Sequence, residues 1–317
     1  MNVPPVPPPP PHSPDPSVAE TGALAVETAA GAAQIYERGY RRYDGERLGR
    51  AASVRAVWFH AFQRILGMRR PVWAKILPVL VVFISYVPAI VYVGIVAIAK
   101  NDPTVAQNLP RYADYYSHVM LAVLLFAAFG APDVLCPDRR TGMLGIYLAS
   151  PLTRDTYLVG KALAVFSGLV LVTTGPQLLL LIANSLQGNG VGASTDTALM
   201  VLRIIGAGFV VSALFTSLSM AISSLTDRKG FATAGIILVL LASGVIASTL
   251  ADSHPAFSLI GLANNLPTAL TTRIFGVQST EDTYGVSTGL IWIVGATWTL
   301  LATAVVRFRY QVLQVTR

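Results

Sequence analysis

The chain is short of charge, of cysteine and of histidine. Of its 317 residues 12% are charged and 53% hydrophobic, whereas soluble domains carry about 25% charged residues. The apolar residues fall in long blocks, so an integral membrane protein is expected and a soluble globular one is excluded. A single cysteine, Cys136, rules out an intrachain disulfide. It reads as an inert, small apolar side chain. The four histidines, His12, His60, His118 and His254, are scattered, and no H-E-x-x-H stretch exists, so an intramembrane zinc protease is not expected. His254 shares a loop with Asp252, Glu281 and Asp282, which reads as solvation rather than a metal site. No G-x-x-x-x-G-K-[ST] is present either, because Gly160–Lys161 is followed by Ala162. The chain therefore has no phosphate loop of its own.

What is present begins with a tail. Met1–Pro16 holds nine prolines in sixteen residues, with no basic start and no apolar core, so no signal peptide is expected. Residues 1–34 read as a disordered Pro/Ala-rich cytoplasmic tail; a docking ligand for a proline-reading domain is the alternative. Residues 35–71 read as a cytoplasmic segment, and 72–317 as a six-helix transmembrane domain. Six uncharged runs approach the ~20 apolar residues a spanning helix needs: Ile76–Ala99, Tyr115–Pro132, Ala162–Ser194, Ile204–Thr226, Gly230–Ala251 and Thr283–Val306. The third is expected to end near Leu186, before "QGNGVGAS". The second is short, but charged ends can snorkel.

The net charge of +7 need not mean nucleic acid. Of 23 Lys and Arg, nineteen fall in alternate inter-span segments that include both ends of the chain, and four in the others. The positive-inside bias puts both termini and the second and fourth loops in the cytoplasm, most simply at a plasma (inner) membrane. Before the first span, Val54, Val57, Trp58, Ala61, Phe62, Ile65 and Leu66 make one helical stripe that Arg55, His60, Gln63 and Arg64 avoid. An interfacial anchor and a link to a cytoplasmic partner are both open readings. Upstream, "YERGYRRYDGERLGR" places Tyr36, Tyr40 and Tyr43 at a spacing suited to docking.

Between the second and third spans runs "DRRTGMLGIYLASPLTRDTYLVGK", Asp138–Lys161. Arg139–Ser150 is expected to form a short surface helix with Met143, Leu144, Tyr147 and Leu148 on one face. Ser150–Pro151 ends it. Thr153 can cap a new helix, with Asp155 in its first turn. That gives a surface helix, a corner and the foot of a span.

This stretch resembles the segment that marks permease subunits of type-2 ABC exporters. The fit is carried by Arg139, Arg140, Thr141, Gly142, Leu144, Leu148, Ser150, Pro151, Leu152, Arg154, Gly160 and Lys161. Asp138 replaces the more usual glutamate, and "TG" the more usual "GT". The six spans, both ends inside and the amphipathic helix extend the resemblance from about residue 50 onward, and the tyrosine-rich stretch looks like actinobacterial members. The resemblance implies a coupling helix within 138–150 that docks on an ATPase subunit, with Asp138, Arg139, Arg140, Thr141, Gly142, Leu144, Leu148, Pro151 and Arg154 in the coupling segment. It implies a connecting helix with Trp58, Phe62 and Arg64, and short re-entrant helices within an external region, 252–282. It further implies two ATPase subunits per complex that hold ATP and Mg, a second permease subunit as homodimer or heterodimer, and no enzymatic activity, cofactor or metal on this chain.

Two polar groups mark a candidate pathway. Thr173, Thr174 and Gln177 flank Pro176 in the third span, and Ser212 and Thr216 lie in the fourth. Such hydroxyls also serve simply to let helices pack. An uncharged path suits an apolar or amphipathic cargo, lipid-like or a hydrophobic drug. The rival readings are an ABC-type mechanotransmission complex, a membrane scaffold and a secondary transporter. Ion-coupled carriers keep charges at mid-membrane, and here every acid is expected at or beyond a span end, with Asp133 and Asp227 the nearest.

Overall fold

The computed structural model describes residues 45, 49–68, 71–98, 112, 115–186, 194–276 and 286–313. The tail at 1–34 and the tyrosine-rich stretch, apart from residues 45, 49 and 50, lie outside them. The helical body is Leu48–Arg317. Its elements are α1 (Gly49–Ile65), α2 (Val72–Ile98), α3 (Tyr115–Arg140), α4 (Met143–Ala149), α5 (Arg154–Leu186), α6 (Ser194–Ser223), α7 (Lys229–Ala251), a 3-10 helix (Pro255–Ile260), α8 (Asn265–Phe275) and α9 (Thr288–Val312). No strand occurs among the described residues. Six helices, α2, α3, α5, α6, α7 and α9, are long and apolar enough to cross a membrane, so the chain is a multi-pass membrane protein.

The helices are arranged by how evenly apolar they are. α3 carries apolar or small residues all round, through "LLFAAFGAPDVLC", and such a helix belongs in the interior. Within its apolar window 83% of residues are buried, against 22% for α2, α7 and α9. α3 and α5 are therefore the centre, and α2, α7 and α9 turn rows such as Phe83, Leu238 and Leu300 outward. α5 touches α1, α2, α3, α6 and α9.

Several boundaries differ from expectation, and in each case a charge explains it. The second span does not stop at Pro132. α3 runs on through Pro132 and Pro137 to Arg140, because Asp133 and Asp138 meet cations from other helices instead of water. Both acids thus lie inside a helix and are buried, past the Pro132 at which the apolar run was expected to end. α6 starts at Ser194, not Ile204. Arg203, which marked that boundary, donates to the carbonyl of Phe275 at 2.9 Å. α9 begins at Thr288 and runs to Val312, past Arg307 and Arg309. α5 runs to Leu186, and the stretch 187–193 that follows lies outside the described residues.

The stripe on α1 faces inward. Val57, Ala61 and Ile65 are buried, with Val54, Trp58 and Phe62 packed on the same core. The partner is α5 above all. Gly160 makes the seam close: a Cβ there would lie 3.0 Å from the Val57 side chain and 3.3 Å from the Val54 carbonyl oxygen. Trp58 Nε1 donates to Ser167 Oγ at 3.1 Å across the same seam.

The segment after α7 is no plain loop. The 3-10 helix and α8 bury Leu259, Leu266, Leu270 and Phe275 against α6, α7 and α9. His254 starts the 3-10 helix by accepting from the Ala256 N–H at 3.2 Å, and Gly276, at φ 70°, closes α8.

Candidate functional site

The site is where α1, α4 and the ends of α3, α5 and α7 converge. Its local geometry follows from the chemistry of one short stretch. Gly142 adopts φ 70°, a left-handed conformation that glycine takes at little steric cost, and the chain turns there from α3 into α4. Ser150 is extended, with φ −82° and ψ 171°, as the residue before Pro151 must be. Its N–H donates to the Tyr147 carbonyl at 3.2 Å. Thr153 then caps α5: its Oγ1 accepts from the Thr156 N–H at 3.3 Å, and the Thr153 N–H donates to Thr156 Oγ1 at 2.8 Å. This is a capping box in which threonine replaces the usual Glu or Gln. Asp155 lies in the first turn of α5, where the helix dipole favours a negative charge.

The expected helix over 139–150 is shorter than its sequence suggested. Only Met143–Ala149 is helical in its own right, and Asp138, Arg139 and Arg140 belong to the end of α3. The stretch therefore splits into residues that lock and residues that are offered. Asp138 is buried and receives Lys161 Nζ at 2.6 Å and the Tyr157 hydroxyl at 2.9 Å, both on Oδ2. Arg64 of α1 stands 3.6 Å from its other oxygen and 3.9 Å from Asp133. Lys229, at the start of α7, donates to Asp133 Oδ1 at 2.6 Å. Two acids on one helix thus collect cations from α1, α5 and α7. Lys161 is only 1% exposed; a buried charge of this kind persists because its partner and further hydrogen bonds are in place. Its ammonium also lies 5.2 Å from the Tyr147 ring centroid and 5.4 Å from that of Tyr157, within cation–π range.

Those rings tie α4 in. Tyr147 and Tyr157 stand 5.3 Å apart, and Tyr157 and Tyr310 of α9 stand 6.2 Å apart. Burial pushes the Tyr147 hydroxyl above the ordinary tyrosine pKa, with the Asp138 charge adding to it. Arg139 fastens α3 to the α6–α7 corner, with Nη2 2.7 Å from Asp227 and Nη1 donating to the carbonyls of Ser224 and Thr226. Arg154 donates to the carbonyls of Tyr310 and Gln311 at the end of α9, which completes acceptors a helix end leaves open.

The apolar face of α4 is turned inward except at Met143. Leu144 is buried, and Leu148 and Tyr147 pack on the chain's own core. The outward residues are Arg140, Thr141, Gly142, Met143, Ile146, Ala149, Ser150 and Pro151; Ile146 is 66% exposed.

Trp58 and Phe62 serve the α1–α5 seam, while Arg64 reaches the acid pair. Sequence reasoning left Asp133, Tyr157 and Lys229 out of the site and read Lys161 only as part of a motif. The available signal was the Gly160–Lys161 pair opening an apolar run together with two acids five residues apart on the preceding helix.

The expected pathway residues are buried within the bundle. Thr173 Oγ1 meets Ser212 Oγ at 3.2 Å and Gly208 O at 3.5 Å, which joins α5 to α6. Gln177 Nε2 donates to the Tyr112 carbonyl at 3.5 Å. The Thr174 and Thr216 hydroxyls and Gln177 Oε1 have no hydrogen-bond partner among the described residues. Thr216 is separate from the others: it lines a groove formed by α5, α6 and α9. Compared with known proteins, the chain matches no family model and no curated protein.

Proposed function

We propose that the chain is the membrane subunit of an ATP-driven exporter of the type-2 ABC class. α4 is its coupling helix, α1 its connecting helix, and both termini are cytoplasmic. Two ATPase subunits on separate chains hold ATP and Mg. A second permease subunit, identical or related, completes the membrane portion. The reading rests first on the resemblance of residues 138–161. The single observation that supports it best is the way α4 is joined to α5.

α4 is a short surface helix between two sharp corners, and it is not hinged freely. Tyr147 packs on Tyr157, Lys161 lies near both rings, and Asp138 holds Tyr157 and Lys161 together. A push on the exposed Met143–Ile146 side would be taken up by α5 and the end of α3 rather than by bending of the corner. α1 lies on the same segment of α5 through Gly160, so two surface helices act on one span. In a low-dielectric setting ion pairs and aromatic contacts of this kind are rigid and directional.

The test is co-purification from native membranes followed by an ATPase assay. An ATP-hydrolysing chain is expected to come down with the wild type, and to be lost from the Met143→Glu and Ile146→Glu variants while their thermal stability stays unchanged. Absence of such a partner, or full assembly of both variants, would overturn the proposal.

An ion-coupled carrier is the second reading, because Asp133, Asp138 and Lys161 are buried within helices and intramembrane ionisable groups often mark ion paths. Each is paired, which supports a structural role. Transport that follows a proton gradient without ATP would favour this second reading.

A further inference from the structure

The groove between α5, α6 and α9 lies apart from the α4 lock. Its volume is about 620 Å³, within the ~300–1,000 Å³ range of ligand pockets. The walls are apolar for most of their length, with Leu158, Leu163, Phe166, Met220 and Val306. Along α5 the lining runs from Asp155 to Phe166, which is about 16 Å at 1.5 Å per residue. That is roughly half of a ~30 Å hydrocarbon core, or the depth of one leaflet. The charged lining is confined to one pair, in which Arg307 Nη2 stands 3.2 Å from Asp155 Oδ2. Both of these side chains are more than half exposed, so their mutual attraction is weak and exchangeable. Thr216 also lines the groove, and its buried hydroxyl has no hydrogen-bond partner among the described residues.

We propose that this groove holds one phospholipid with a zwitterionic head group. One acyl chain fills the apolar trough. The phosphate takes Arg307 and the ammonium takes Asp155, so that opening the ion pair leaves neither charge unmatched. A purely anionic head would satisfy Arg307 but face the Asp155 carboxylate, and a lipid without charge would leave the pair unaltered. Charge complementarity and leaflet depth therefore select the same occupant. The site does not depend on the ATPase reading, because it is formed by this chain alone.

The test uses the full chain, delipidated in detergent and then supplied with dioleoylphosphatidylethanolamine or dioleoylphosphatidylglycerol. Bound lipid is counted by native mass spectrometry, and the lipid-dependent rise in Tm is measured in parallel. One phosphatidylethanolamine per chain is expected, held at least tenfold more tightly than phosphatidylglycerol. The Ala213→Trp variant, which fills the trough, should lose the bound lipid and the Tm rise. The Asp155→Ala/Arg307→Ala double variant should bind the two lipids equally, beside a small lowering of its lipid-free Tm from the lost charge at the start of α5. Equal retention of both lipids by the wild type would overturn the head-group assignment. Undiminished retention by Ala213→Trp would overturn the site. A dimer that forms without lipid and that Ala213→Trp dissociates would overturn it in favour of a second copy of this chain.

Discussion

Replacing Lys161 by methionine removes the cation closest to Asp138 and leaves a buried carboxylate. Breaking a buried pair from one side costs about 3–5 kcal/mol. The lower end applies here, because Asp138 keeps the Tyr157 hydroxyl at 2.9 Å and Arg64 at 3.6 Å. Asp138→Asn is the more severe change. It leaves Lys161, 1% exposed, with an amide and two aromatic faces in place of a carboxylate, so the upper end is expected, about 5 kcal/mol. The Asp138→Leu/Lys161→Met double variant removes both charges together. Apolar replacement of a buried pair is often neutral or stabilising, so it should cost less than either single change. With about 2–4 °C of Tm per kcal/mol for a body of this size, the singles fall by roughly 6–20 °C and the double by only a few degrees. The assay is thermal unfolding of the purified chain in detergent at low and high salt. The singles should be nearly indifferent to salt, because the pair is buried and little screened. Additive losses in the double variant, or singles that melt with the wild type, would refute the reasoning.

Three further outcomes follow from neighbouring geometry. Gly142→Ala places a Cβ on a residue at φ 70° and should cost about 1–2 kcal/mol, whereas Gly206→Ala, in a helix with open space around it, should be neutral or slightly stabilising; the two Tm values check this together. Burial raises the folded pKa of Tyr147 above the ordinary tyrosine value of 10.0. Its contribution to stability is therefore full below about pH 10 and lost as pH rises through the raised value, and the alkaline fall in Tm should be shallower in Tyr147→Phe. Arg203→Ala removes the cation from the carbonyl end of α8 and should cost about 1 kcal/mol, read as faster hydrogen exchange in Asn265–Phe275 with little change in α3.

Local chemistry was legible in the sequence. The stop at Ser150–Pro151, the Thr153 cap and the α1 stripe depend on neighbours within a few residues, so spacing alone exposes them. The extension of α3 was not legible. A charge normally ends a span, and Asp133 meets Lys229, 96 residues further on, besides Arg64 of α1. Arg203 misled in the same way, because its acceptor at Phe275 is 72 residues away. The inward face of α4 was ambiguous for another reason. Met143, Leu144, Ile146, Tyr147 and Leu148 are apolar around nearly the whole helix, so periodicity could not say which side meets the core. The ring of Tyr157 decides it. In the candidate site, the lock residues were visible as charges but their partners were not, since pairing between helices leaves no trace in spacing.

The bond from Arg154 to the end of α9 also sets an order in time. Its acceptors at Tyr310 and Gln311 lie 156 and 157 residues later in the chain. At about 5–20 residues per second of synthesis, Arg154 exists for roughly 8–30 s before they do. During that interval the foot of α5 has a guanidinium without these carbonyls, and Tyr157 lacks the Tyr310 ring beside it. The foot of α5 is thus completed by a helix made much later, and a nascent chain halted before α9 carries an unfinished α5 foot.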